Sequence, residues 1–144
     1  MNRPRLRLAN QPLVDVLIID DSEVAGEAMA EVLRAAGMSA TAISSPIGAT
    51  QATLRREAQL VIVDMNMPSL QGDKLVALLR GVDRLAEVKL VLASAEETPT
   101  LRRAAKAAGA DGVYRKSDGP GALVALARNL LGRRPTSGVQ RRDD

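Results

Sequence analysis

Short unbroken runs of apolar, β-branched residues alternate along the chain with longer stretches in which Ala and Leu recur at helical spacing among charged residues. There are five of each, the alternation expected of βαβ units around a parallel sheet. The runs predict strands at Val14–Asp20, Ser39–Ile43, Leu60–Asp64, Lys89–Ser94 and Gly112–Arg115. The periodic stretches predict helices at Ser22–Ala36, Pro46–Glu57, Gly72–Arg80, Thr98–Ala108 and Gly121–Leu131. Ser22 is placed to cap the first helix, Gly37 and Gly109 to end the first and fourth, and Pro46 to occupy the first turn of the second. Val61–Ile62–Val63 and Leu90–Val91–Leu92 are apolar without alternation, so helices should cover both sheet faces. Right-handed crossovers leave few ways to wind five βα units, and the simplest is an α/β doubly wound five-stranded parallel sheet of order 2-1-3-4-5.

A chain of 144 residues, 46% of them apolar, is long enough for one core. No apolar run approaches the ~20 residues that span a bilayer, and the first ten residues alternate Arg with Leu and lack a signal-peptide core, so a cytoplasmic protein without membrane contact is expected. There is no Cys and no His, which removes disulfides, thiolate sites and imidazole chemistry. Any reaction must run on carboxylates, hydroxyls and Lys. The pI of 9.8 invites a nucleic-acid reading, but the excess sits at the ends. Arg3, Arg5 and Arg7 lie in residues 1–12, and Arg133, Arg134, Arg141 and Arg142 in residues 132–144, whereas Leu13–Leu131 holds 13 basic and 15 acidic residues. The expected organisation is a basic N-terminal tail (1–12), one folded domain (13–132) and a flexible Arg-rich C-terminal tail (133–144).

In a sheet of this type ligands bind outside the carboxyl ends of the strands, near the point where strand order reverses. Asp20 and Asp21 end the first strand, Asp64 the third and Ser94 the fourth, and Lys116 follows the fifth. Parallel strands bring these to one edge. Three ionised carboxylates a few ångströms apart must raise a pKa or recruit a cation, and an all-oxygen set favours Mg²⁺. Such a site can bring a phosphoryl group in line with one carboxylate while the metal, Lys116 and Ser94 neutralise its oxygens. Asp64, on the middle strand, is then the nucleophile.

At these positions the chain resembles the response-regulator receiver domain of two-component signalling, in its chemotaxis-regulator-like single-domain form, with a flavodoxin-like fold. The resemblance rests on Val16–Leu17–Ile18–Ile19–Asp20–Asp21, on Val61–Ile62–Val63–Asp64–Met65–Asn66–Met67–Pro68 with Gly72, on Leu92–Ala93–Ser94–Ala95, and on Gly109–Ala110–Asp111–Gly112–Val113–Tyr114–Arg115–Lys116. It implies that Asp64 is phosphorylated, that Asp20, Asp21, Asp64 and the backbone carbonyl of Asn66 hold Mg²⁺, and that Ser94 and Lys116 read the phosphoryl group. It also implies a sensor histidine kinase or phosphotransfer protein as donor, since this chain has no His, and a downstream effector protein of unknown identity. The protein would be a phosphoacceptor that assists its own phosphorylation and dephosphorylation rather than an enzyme. Two positions depart from the family pattern. Val113 stands where an aromatic residue is usual, and Ser117 where a Pro usually follows the Lys.

Other readings attach to the same residues. Asp21 could cap the first helix, Asp64 could nucleate a turn before Pro68, and Tyr114, the one aromatic residue, suits a core filler. Arg102, Arg103, Lys106, Arg115 and Arg128 suit either a basic output surface or a solvated face. For the whole chain the alternatives are a receiver-fold scaffold that ignores phosphate and a Mg²⁺-dependent phosphohydrolase. The latter is disfavoured, because no second Asp follows Asp64 by two positions and no Gly-rich phosphate loop is present. About a dozen residues follow the last helix, so no DNA-binding output domain is expected in this chain.

Overall fold

The computed structural model describes residues 12–96 and 98–132, so the expected tails, apart from Pro12, and Glu97 lie outside the described residues. The elements are β1 (Val16–Ile19), α1 (Glu23–Ala35), β2 (Ala40–Ile43), α2 (Ala49–Arg56), β3 (Leu60–Asp64), α3 (Gly72–Arg80), β4 (Lys89–Ser94), α4 (Pro99–Ala108), β5 (Gly112–Arg115) and α5 (Pro120–Leu130). Single 3-10 turns occupy Asp83–Leu85 and Lys116–Asp118. The sheet has five strands in the order β2-β1-β3-β4-β5, all parallel, which is the flavodoxin-like winding expected from the alternation.

Strand residues alternate between two cores, which explains why the strands carry no polar face. Leu17, Ile19, Val61, Val63, Leu90 and Leu92 pack with Leu75 and Leu79 of α3 and Leu101 and Ala105 of α4. Val16, Ile18, Leu60, Ile62, Val91 and Ala93 face the other way, onto Met29 and Leu33 of α1 and Leu123 and Ala127 of α5. Each fully buried Leu or Ile contributes about 1.5–3 kcal/mol. A one-residue slip in register would exchange the two faces, so the alignment Val16 with Leu60 and Val63 with Leu92 is held by every side chain at once.

The bounds of β3, α3, β4 and β5 are those predicted, those of α1, β2, α4 and α5 differ by one residue at one or both ends, and β1 and α2 differ by more. β1 begins at Val16 rather than Val14; Asp15, just before it, shares its N–H between the Ser39 carbonyl at 3.2 Å and Ser39 Oγ at 2.7 Å, its Oδ2 accepts the Ser39 N–H at 2.9 Å, and its carbonyl accepts the Leu60 N–H at 3.1 Å. The second helix begins at Ala49, not Pro46. Gly48 adopts φ 82°, a left-handed conformation that no helix can run through, and the Pro46 carbonyl instead closes a separate turn with the Ala49 N–H at 3.1 Å. Arg80, at the end of α3, ties that helix to the segments that lead into β4 and β5. Its guanidinium donates to the carbonyls of Gly109 at 3.1 Å and Val88 at 3.0 Å and pairs with Asp111 at 2.8 Å.

Candidate functional site

β1 and β3 are adjacent and end together, so Asp20 and Asp64 leave the sheet side by side. Both are buried, Asp20 at 1% and Asp64 at 6% exposure, while Asp21 is exposed. Carboxylate oxygens of Asp20, Asp21 and Asp64 lie within 4.8 Å of one another. The Lys116 ammonium arrives from the end of β5 and bridges the buried pair, at 2.9 Å from Asp20 Oδ2 and 3.2 Å from Asp64 Oδ1. Asp20 Oδ1 accepts the Ser22 N–H at 3.0 Å, and Ser22 Oγ accepts the Ala25 N–H at 3.1 Å. The α1 cap is therefore Ser22, and Asp21 is left to the cluster.

Burial pushes the Asp64 carboxyl above its ordinary range. The nearby Lys116 charge pulls it back, the Asp20 charge pushes it up again, and hydrogen bonds from Lys116 and the Asn66 backbone N–H lower it, but the net shift is upward. For Lys116 burial works to lower the pKa, and the hydrogen bonds and charges of Asp20 and Asp64 outweigh it, so the ammonium is held above its ordinary value. The pocket thus keeps one fixed positive charge beside carboxylates that repel each other.

The loop after Asp64 is held from both ends. Met65 N–H donates to the Ala93 carbonyl of β4 at 2.8 Å, and the Met65 carbonyl accepts the Gly72 N–H at 2.8 Å. Met67 is buried beneath the loop. Gly72 packs directly on the strand end: a Cβ there would overlap the Asp64 carbonyl oxygen and lie 2.7 Å from Met65 Cα. Only a residue without a side chain lets α3 start this close to Asp64. Asn66 itself is exposed.

Ser94 lies at the same edge, one register step beyond Ala93, the partner of Asp64. Its hydroxyl accepts the Glu96 N–H at 3.3 Å and makes no hydrogen bond to Asp64 or Lys116 among the described residues. It lines a cavity of about 350 Å³ with Met65, Asn66, Thr98, Leu101 and Ala104. Val113 is half-buried against the core under α3 and α4, and Tyr114 points to the opposite face. Tyr114 is buried at 6% exposure and donates its hydroxyl proton to the Gly119 carbonyl at 3.0 Å, so it fills core as expected. The peptide bond before Ser117 is trans, and a 3-10 turn over Lys116–Asp118 presents the ammonium to the aspartates. Arg80 and Asp111 were not singled out from the sequence. An Arg in a helix's last turn and an Asp just beyond Gly109 are the only signals of their pairing, and neither is specific.

Fold and site together define a doubly wound α/β domain with an acidic pocket at the switch point of its sheet. Residues 16–128 match the response regulator receiver domain. The chain belongs to that family, whose members receive signals in two-component systems. It is 28% identical over 122 residues to the two-component response regulator ORR3 of Oryza sativa, covering 84% of this chain and 93% of that protein. It is 29% identical over 118 residues to the transcriptional regulatory protein GltR of Pseudomonas aeruginosa, covering 82% of this chain but only 49% of GltR, so it spans about half that relative's length. Among solved structures, the chemotaxis protein CheY4 of Vibrio cholerae superposes with a TM-score of 0.76 at 23% identity, over 82% of this chain and 98% of CheY4, a likeness of fold. No helix among the described residues is long and apolar enough to cross a membrane.

Proposed function

We propose that Asp64 accepts a phosphoryl group from a phosphohistidine on a partner kinase or phosphotransfer protein, and that the aspartyl phosphate changes which effector protein the domain binds. The observation that carries this reading is the Lys116 ammonium bridging Asp20 and Asp64, with Asp21 alongside. The bridge joins two buried carboxylates at the carboxyl edge of the sheet, where ligands bind in folds of this winding. The donor set fits Mg²⁺: all ligands are hard oxygens, from Asp20, Asp21, Asp64 and the backbone carbonyl of Asn66. Mg²⁺ bound there would draw charge from the phosphoryl oxygens.

Transfer forms a bond from an Asp64 carboxylate oxygen to phosphorus as the phosphorus–nitrogen bond to the donor imidazole breaks, leaving its electron pair on nitrogen. Lys116 holds a positive charge against the phosphoryl oxygens throughout, and the Ser94 hydroxyl donates a hydrogen bond to one of them. Asp20 keeps Lys116 oriented before and after transfer. We place the domain at residues 13–132, acting in the cytoplasm as a signalling module and not as an enzyme with its own substrate.

The test is incubation with Mg²⁺ and acetyl phosphate followed by intact mass. One phosphoryl group should add, hydroxylamine- and base-labile as an acyl phosphate, and Asp64→Asn should abolish it. Stoichiometric labelling that survives Asp64→Asn removes Asp64 as acceptor. Asp21→Ala should weaken Mg²⁺ binding in a titration, and an unchanged affinity refutes the metal role.

A further inference from the structure

We infer that residues 3–8 of the chain's own amino-terminal segment dock, extended, in the groove between α1 and the edge strand β2, placing Arg7, Arg5 and Arg3 against Glu31, Glu27 and Glu23. The groove holds about 890 Å³, with the three glutamates on the helix wall and Ala42 and Ile43 on the strand wall, a size within the ~300–1,000 Å³ range of ligand clefts. It is open because its floor is small: Gly26, where an added Cβ would lie 3.2 Å from Ala42 Cβ. β2 is a sheet edge. Val24, on the groove's rim, is 81% exposed, so an apolar side chain faces water there.

The spacing matches in both partners. Glutamates four apart on a helix repeat every ~6 Å, and alternate residues of an extended chain repeat every ~6.6 Å. Arg3, Arg5 and Arg7 alternate in this way with Pro4, Leu6 and Leu8, so one side of the segment is cationic and the other apolar, as the two walls require. The direction also matches. α1 runs back from the carboxyl edge of the sheet to the amino edge, where Arg34 Nε donates to the Ala40 carbonyl at 2.9 Å. Leu13 lies at that same amino edge, just before β1, so a chain followed backward from Pro12 meets Glu31 first and Glu23 last. Pro12 is held on the α2 side of the sheet, where Arg56 Nε donates to its carbonyl at 2.7 Å, so residues 8–12, with a reach of up to about 17 Å, have to pass beneath the end of β2 to meet Glu31.

The charges are complementary. Residues 1–12 carry three arginines and no acidic residue. Glu27 pairs with Arg34 at 2.6 Å, and Glu23 and Glu31 have no ion pair among the described residues. Docking would add partners to those two and share Glu27. The contact requires no phosphorylation and no metal, so it stands or falls apart from the reading of Asp64. Once docked, the segment covers the outer face of α1 beside Asp20 and Asp21.

The chain has no cysteine, so Asn2→Cys gives a single site for a nitroxide label on the full-length protein. Amide NMR signals of Glu23–Ala28 and Ala42–Ser44 should broaden selectively. The broadening should fall by more than about half as salt rises and the Debye length shrinks from about 10 Å at 0.1 M to about 3 Å at 1 M. Glu23→Lys with Glu31→Lys, both exposed and away from the core, should abolish it, and adding Arg3→Glu with Arg7→Glu should restore it. Broadening that is absent from the groove, or that survives the paired lysine substitutions, overturns the proposal. Broadening transferred to an unlabelled, isotope-enriched copy in a mixed sample also overturns it, because the groove then takes a second molecule's segment.

Discussion

Replacing Gly72 with alanine places a methyl group into the backbone of the strand end that carries Asp64. The new Cβ would overlap the Asp64 carbonyl oxygen and sit 2.7 Å from Met65 Cα and 2.9 Å from the Asp64 carbonyl carbon, where ordinary contact begins at 3.4 Å. These are main-chain atoms of a buried strand, with no rotamer to escape into. The start of α3 must withdraw instead, which stretches the 2.8 Å bond from the Gly72 N–H to the Met65 carbonyl. Overpacking costs about 1–3 kcal/mol and a weakened hydrogen bond up to about 1 kcal/mol, offset by about 0.4–1 kcal/mol from the stiffer unfolded chain. The net loss of about 1–3 kcal/mol corresponds to a Tm lower by ~3–12 °C for a domain of this size. Gly121→Ala is the matched control, since nothing lies within 4 Å of its added Cβ in the first turn of α5; it should be neutral or stabilising by up to about 1 kcal/mol. Thermal and urea unfolding of both variants measures the contrast. A Gly72→Ala protein as stable as wild type would refute the close-approach argument.

Other outcomes follow from the buried polar groups. The Asp64 pKa is raised by folding, chiefly through burial, so without metal its contribution to stability is greatest below the unfolded value of 3.8 and is lost as pH rises through the folded pKa; Asp64→Asn should therefore flatten that slope and stabilise the metal-free protein at neutral pH by about 0.5–2 kcal/mol, and a variant no more stable than wild type contradicts this. Asp15→Ala removes the carboxylate that accepts the Ser39 N–H and strands that backbone donor, while the bond from the N–H of residue 15 to Ser39 Oγ stays, so urea unfolding should show a loss of about 1–3 kcal/mol, with an unchanged midpoint rejecting the carboxylate's role. Ser94→Ala should permit acceptor labelling yet suppress the change in hydrogen exchange that a beryllofluoride phosphoryl mimic causes in segment 95–98, while Val113→Ala should leave that change and lower stability; the reverse pattern would show the signal passing through Val113.

What could be read from the sequence was what repeats or recurs at strand ends. β3 and β4 are unbroken apolar runs closed by Asp64 and Ser94, so their bounds and the shared edge followed from periodicity and parallel winding alone. The α2 start did not, because Pro46 satisfies a helix-initiation rule locally while the left-handed Gly48, two residues on, overrides it. Asp15 reads as part of a strand, and nothing in the local sequence shows that its carboxylate accepts the N–H of Ser39, 24 positions away. The same limit hid Arg80, whose partners Val88, Gly109 and Asp111 are joined to it only by the tertiary fold. Gly72 was legible as a recurring position but not as a steric necessity, which needs the distance to Asp64.

Val113 and Ser117 bear on two different parts of the machine, and the geometry separates them. Ser117 tests whether Lys116 can reach the aspartates without the usual following Pro, and a trans peptide in a 3-10 turn brings the ammonium within 2.9 Å of Asp20. The electrostatic half of the site is thus independent of that residue. Val113 concerns the path outward. A β-branched side chain, stiff at its first torsion, packs against the core beneath α3 and α4, and the cavity beside Ser94 is lined by Ala95 and Ala104 rather than by any ring. Tyr114 cannot substitute, because strand alternation sends it to the other face, where its hydroxyl is held by Gly119. With no aromatic group on the site's side of β5, the side chain nearest Asp64 along β4 that can reorient is the Ser94 hydroxyl, which accepts the Glu96 N–H. If Asp64 is phosphorylated as proposed, coupling from this pocket to α4 would run through backbone displacement after β4, a shorter lever than a swinging ring.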